Sequence, residues 1–100
     1  MKFYLISDNI DTQMGLRLAG IEGVVVHGEE ETSQALNEAM DKKNVAVILM
    51  TTIAKGECEE LVDKYKLERA VPLIVEIPDR HASSGVTDSI GRYLREAVGI

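Results

Sequence analysis

With one cysteine, Cys58, in 100 residues, the chain can form no intrachain disulfide and no cysteine-rich metal site, a usage expected of an intracellular protein. It also lacks any window approaching ~18 consecutive apolar residues. The apolar run after Met1-Lys2 extends only from Phe3 to Ile6, too short for the core of a secretory signal. Neither membrane insertion nor export is expected. Cations are scarce as well: 11 Lys and Arg against 17 Asp and Glu leave a net charge of -6, which disfavours non-specific attraction to nucleic acid or anionic lipid. Phosphate-cradling motifs are missing. No Gly-x-x-x-x-Gly-Lys run occurs, and Gly15, Gly20 and Gly23 do not reproduce Gly-x-Gly-x-x-Gly after a strand. His27 and Glu29 have the His-x-Glu spacing of zinc deaminases, but no Pro-Cys-x-x-Cys follows, and His81 lies in a different segment.

What remains is an ordinary globular composition, 45% hydrophobic and 28% charged, in a length suited to one domain with a real core. Four apolar runs, Phe3–Ile6, Val24–Val26, Val45–Met50 and Leu73–Ile77, read as strands. The last two are nearly continuous in Val, Ile and Leu, as expected where a parallel sheet is covered on both faces. Helical spacing separates the runs: Met14, Leu18 and Ala19, then Ala35, Leu36, Ala39 and Met40, then Ala54, Cys58, Leu61, Val62 and Tyr65. Asp11 is the expected N-cap of the first helix and Gly20 its stop. A fourth helix after Thr87 carries Ile90, Tyr93, Leu94, Ala97 and Val98 on one stripe. Alternating strand and helix predict an α/β fold, a four-stranded parallel sheet in the order 2-1-3-4 flanked by helices. The expected organisation is one domain with a core over 1–78, a flexible loop over 79–86 poor in large apolar side chains, and a C-terminal helix over 87–100.

In such a sheet ligands bind at the carboxyl ends of the first and third strands, here a crevice holding Ser7, Asp8, Asn9, Asp11, Thr51 and Thr52. Clustered carboxylates suit a magnesium ion or phosphoryl group; the reading preferred for these residues is turn and cap hydrogen bonds, with Thr51 or Thr52 capping the third helix. A phosphoacceptor carboxylate is missing where the third strand ends, because the chain reads Met50-Thr51-Thr52. Cys58 falls on an apolar helical stripe with no local histidine, the setting of a packed thiol rather than a nucleophile. Glu29, Glu30 and Glu31 suit the positive end of the second helix. Glu76 within the fourth run marks an edge strand protected against pairing with other chains. No catalytic residue, metal ligand or cofactor site is therefore assigned.

The chain resembles the F subunits of the V/A-type rotary ATPases over nearly its whole length. The resemblance rests on Asp11-Thr12 with Gly15-x-Arg17-Leu18-Ala19-Gly20, on Val47-Ile48-Leu49-Met50-Thr51, on Pro72-Leu73-Ile74-Val75-Glu76-Ile77-Pro78, and on the ending Ser89-Ile90-x-x-x-Leu94-x-x-Ala97-Val98-Gly99. It departs from the family's frequent Gly-Asp after the first strand, with Ser7-Asp8 instead. The resemblance implies a Rossmann-like four-stranded part with a C-terminal helix, and a non-catalytic rotor subunit of the central stalk. Such a protein is bound to the long coiled-coil D subunit of the stalk and, through it, to the catalytic head and membrane rotor, coupling ATP synthesis or hydrolysis to ion translocation. It would be cytoplasmic, a peripheral part of a membrane-bound complex. The expected contacts with the D subunit are Ile90, Arg92, Tyr93, Leu94, Arg95, Ala97 and Val98, while Asp11, Gly20, Pro72 and Pro78 are expected to be structural. The competing reading is a receiver-like or small-ligand regulatory domain using the Asp8, Asp11 and Thr51 crevice.

Overall fold

Each of the four apolar runs forms a strand, and the four strands pair in parallel in the order β2-β1-β3-β4. A computed structural model of the chain describes residues 2–78. The expected loop and C-terminal helix, and with them Ile90, Arg92, Tyr93, Leu94, Arg95, Ala97 and Val98, lie outside the described residues. The elements are β1 (Lys2–Ser7), α1 (Ile10–Leu18), β2 (Glu22–Val25), α2 (Gly28–Met40), β3 (Val45–Thr51), α3 (Thr52–Glu57), α4 (Glu59–Glu68) and β4 (Leu73–Ile77).

Register and pleat divide the core in two. Leu5 lies beside Leu49 and Leu49 beside Val75, and these residues pack with Leu16 and Ile21 on the α1 side of the sheet. Their neighbours in sequence alternate to the other face. There Ile6, Ile48, Met50 and Ile74 meet Leu36, Ala39 and Met40 of α2, Ala54 of α3 and Val62 of α4. Opposite directions of travel from β1 and from β2 explain the division, since right-handed crossovers place their helices on opposite faces. Gly23 is required by close approach: a Cβ there would stand 2.6 Å from Leu5 Cβ and 2.8 Å from the Leu5 carbonyl oxygen.

Three local expectations are corrected by the structure. The N-cap of α1 is Asn9, not Asp11: Asn9 has the extended backbone of a cap, and its Oδ1 accepts from the amides of Asp11 at 2.7 Å and Thr12 at 3.3 Å. Asp11 sits in the first turn, where its charge favours the helix dipole. Helix α1 also turns a different face inward. Thr12 and Leu16 are buried, while Met14 is 59% and Leu18 91% exposed, because the early cap and the stop at Gly20 fix a short helix whose inward line runs through 12 and 16. Finally, the expected third helix is two helices that break at Cys58 (φ -140°, ψ 44°). Gly56, costly to order in a helix, precedes the break, and Cys58 stays buried with Ala54 and Val62 on the same core face.

The stop of α1 is as expected. Gly20 has φ +87°, and the amides of Gly20 and Ile21 donate to the carbonyls of Arg17 and Leu16 at 2.9 and 3.0 Å. That pair of bonds is a Schellman closure, with Ile21 and Leu16 supplying its apolar contact. Pro72 is buried and Pro78 exposed, one at each end of β4. Strand β4 lies at the sheet edge, where Glu76 pairs with Lys55 at 3.4 Å.

Candidate functional site

The crevice at the carboxyl ends of β1 and β3 is built by two short connections. On the β1 side, the Ser7 hydroxyl, fully buried, donates to the Asn9 carbonyl at 2.8 Å and accepts from the Asn9 amide at 2.9 Å. This turn aims the Asn9 side chain back at the first turn of α1, where it is consumed as a cap. On the β3 side, Thr51 is buried and crosses to the other loop: its hydroxyl donates to Asp8 Oδ1 at 2.7 Å and accepts from the Asp8 amide at 3.2 Å. The Asp8 carbonyl in turn contacts His27 Nε2 at 3.1 Å, which makes that nitrogen the donor. The His27 amide donates to Glu31 Oε1 at 3.0 Å.

These bonds decide what the crevice can do. Ser7, Asn9 and Thr51 are spent on neighbouring protein groups, one Asp8 oxygen is held by Thr51, and Asp11 is exposed at the helix start. Thr51 precedes α3 but makes no side-chain cap bond there. Thr52 instead reaches the Ile77 carbonyl at 3.3 Å and helps tie α3 to β4. Among the described residues no group of three His, Cys, Asp or Glu side chains is arranged to hold a metal ion. His27 stands in the Asp8 linkage, away from any metal-ligating set. The expected strand order brings Thr51 and Asp8 into one crevice, but not the bonds between them, because the partners are 43 residues apart and no local pattern marks the pairing.

Cys58 is a packed thiol. Burial pushes it up to about 11, with Glu29 and Glu57 adding to the rise, so almost none is thiolate at neutral pH. It borders a hollow of about 430 Å³ beside the α3–α4 break, lined also by Glu29, Glu57, Glu59 and Glu60. That hollow offers carboxylates with no cationic side chain among its lining, and the crevice offers hydrogen bonds already made. Neither assembles a nucleophile with a base.

The molecule is thus a small doubly wound α/β domain whose switch-point crevice is closed by its own side chains. Similarity to known proteins goes further. The ATP synthase (F/14-kDa) subunit family matches residues 4–94. The F subunit of the A-type ATP synthase of Methanocaldococcus jannaschii is 36% identical over 101 aligned positions, covering 100% of this chain and 97% of that relative. Its counterpart in Methanosphaera stadtmanae is 30% identical and covers 90% of this chain and 86% of its own. The crystal structure of the F subunit of the V-type ATP synthase from Archaeoglobus fulgidus shares the fold, with a TM-score of 0.63 and 22% identity over 76% of this chain and 95% of that one. The chain belongs to the ATP synthase F/14-kDa subunit family. It is accordingly a component of a membrane-associated ATP synthase complex, and no helix among the described residues is long and apolar enough to cross a membrane.

Proposed function

We propose that the chain is the non-catalytic central-stalk F subunit of a V/A-type rotary ATP synthase. It binds the coiled-coil D subunit, turns with the rotor, and helps couple ATP synthesis or hydrolysis to ion translocation. It works on the cytoplasmic side as a peripheral part of the complex. Family membership carries this reading, and the self-contained bonding of Ser7, Asn9 and Thr51 agrees with it, since a domain that holds partners has no need of an open crevice. The C-terminal stripe of Ile90, Tyr93, Leu94, Ala97 and Val98 contributes apolar contact to the coiled coil, with Arg92 and Arg95 facing acidic groups of the partner.

Affinity purification of the tagged chain from its own cells tests the reading. The coiled-coil stalk protein and the ATPase head proteins are expected to co-purify in fixed proportion. Their absence from a purification that retains the intact chain overturns it. So does saturable binding of magnesium or nucleotide at the crevice, or stable phosphorylation by acetyl phosphate, measured by calorimetry and mass spectrometry.

A further inference from the structure

At the corner where α4 turns into β4, this acidic molecule places cations around an apolar hollow. Between Glu68 and Leu73 the chain closes a hollow of about 340 Å³ lined by Lys66, Arg69, Ala70, Pro72, Leu73 and Ile74. No carboxylate is among those lining residues. Leu73 is 54% exposed at its wall, and Leu67 and Val71, interleaved with the lining residues in sequence, are 90% and 67% exposed. Arg69 is held in place rather than free to wander: one guanidinium nitrogen donates to the Met40 carbonyl at 3.0 Å, and the group lies over the Tyr65 ring at 5.7 Å. Its only carboxylate partner among the described residues is Asp41, at 4.0 Å and mostly exposed, which leaves donors to spare. Lys66 has no ion-pair partner among the described residues. The same end of the sheet carries Lys42 and Lys43, joined to this corner through the Arg69–Asp41 contact.

An exposed leucine, Leu73, beside the held Arg69 and the exposed Lys66, on a chain of net charge -6, forms a surface complementary to an apolar side chain flanked by carboxylates. We infer that this corner is a docking site for the coiled-coil stalk protein, taking a helical segment that presents an apolar side chain to the hollow and an Asp or Glu to Lys66 and Arg69. The inference rests on the proposed binding of that coiled coil and adds to it the surface and the partner's chemistry. Charge also sets the direction of docking. The hollow at the α3–α4 break, lined by Glu29, Glu57, Glu59 and Glu60, repels the same carboxylates, so an acidic partner meets one part of the domain and avoids the other.

The test is titration of the full chain with the recombinant coiled-coil protein of the same organism by calorimetry. Lys66→Glu and Leu73→Ser are each expected to weaken binding roughly tenfold or more, and raising sodium chloride from about 50 to about 500 mM to weaken the wild type. Leu18→Ser, which alters the exposed face of α1, is expected to stay within about twofold of wild type. Thermal melts of each variant establish that it is folded; Lys66 is exposed, so its variant keeps the test decisive if Leu73→Ser unfolds. Wild-type affinity in Lys66→Glu, or in a folded Leu73→Ser, overturns the inference while leaving the proposed function intact. Loss in Leu18→Ser without loss in the other two also overturns it, by moving the contact to α1. Failure of the wild type to bind the coiled coil removes the proposed function itself, and the inference with it.

Discussion

Gly20 does at the level of one residue what no other amino acid does there cheaply. Its φ of +87° completes the two bonds that end α1, and a Cβ at this position would touch nothing within 4 Å. The cost of replacing it is therefore backbone strain alone, not crowding. Gly20→Val is expected to destabilise the fold by ~1 kcal/mol or more, read as a shift of the urea midpoint with an unchanged slope; an unshifted midpoint would refute the role given to this turn. Thr51 is a different case, because its contribution is connective. A buried hydroxyl that both donates to and accepts from Asp8 joins the ends of β1 and β3 across the position where a related sheet would keep a ligand. The local chemistry of the crevice is that of a joint.

At the scale of elements, strands are legible because buried parallel strands advertise themselves as continuous apolar runs, and Leu73–Ile77 matches β4 end for end. Helix faces are harder. In α1 the sequence pattern points to Met14 and Leu18, yet Thr12 and Leu16 face the core, since nine residues offer too few turns for a periodic pattern to choose between adjacent stripes. The break between α3 and α4 is invisible in sequence for another reason: Ala54, Cys58 and Val62 keep helical spacing through it and remain buried. Gly56 is the local weakness. It has open space around it and no positive φ, so Gly56→Ala is expected to stabilise the protein by about 0.5–1 kcal/mol. Equal or lower thermal stability of that variant would count against Gly56 as the weak point. The tie between α3 and β4 is electrostatic and should show in pH dependence. The Glu76 carboxyl is drawn below its usual range chiefly by the neighbouring polar Thr52 side chain and then by Lys55 and Lys66, against some opposing desolvation. A carboxyl lowered in the folded state stabilises above its unfolded value and loses that contribution as pH falls through the folded one. The stability gap between wild type and Glu76→Gln should accordingly be present at neutral pH and close below about pH 4; a gap independent of pH would assign no role to the charge.

For the whole molecule, the buried side chains of residues 2–78 fall on both faces of the sheet. Leu5, Ile6, Leu36, Ile48, Met50 and Ile77 are essentially inaccessible, and each fully buried side chain of that size contributes roughly 1.5–3 kcal/mol of transfer free energy. Among the described residues, α2, α3 and α4 cover one face and α1 alone covers the other. The proposed partner binding by residues 87–100 rests on the apolar spacing of their sequence and the family resemblance, and it has a direct consequence. Ending the chain before Val86 should leave a cooperatively folding α/β protein with a circular dichroism spectrum that retains both helix and sheet. It should also weaken binding to the coiled coil by at least ~2 kcal/mol, about thirtyfold, if the stripe supplies an anchor. The two measurements separate two ways of being wrong. A truncated chain that no longer folds cooperatively would place the stripe in the domain's own core, covering the sheet beside α1. A truncated chain that folds and binds with full affinity would place the entire contact on residues 2–78, and the Lys66, Arg69 and Leu73 corner would then have to account for all of it.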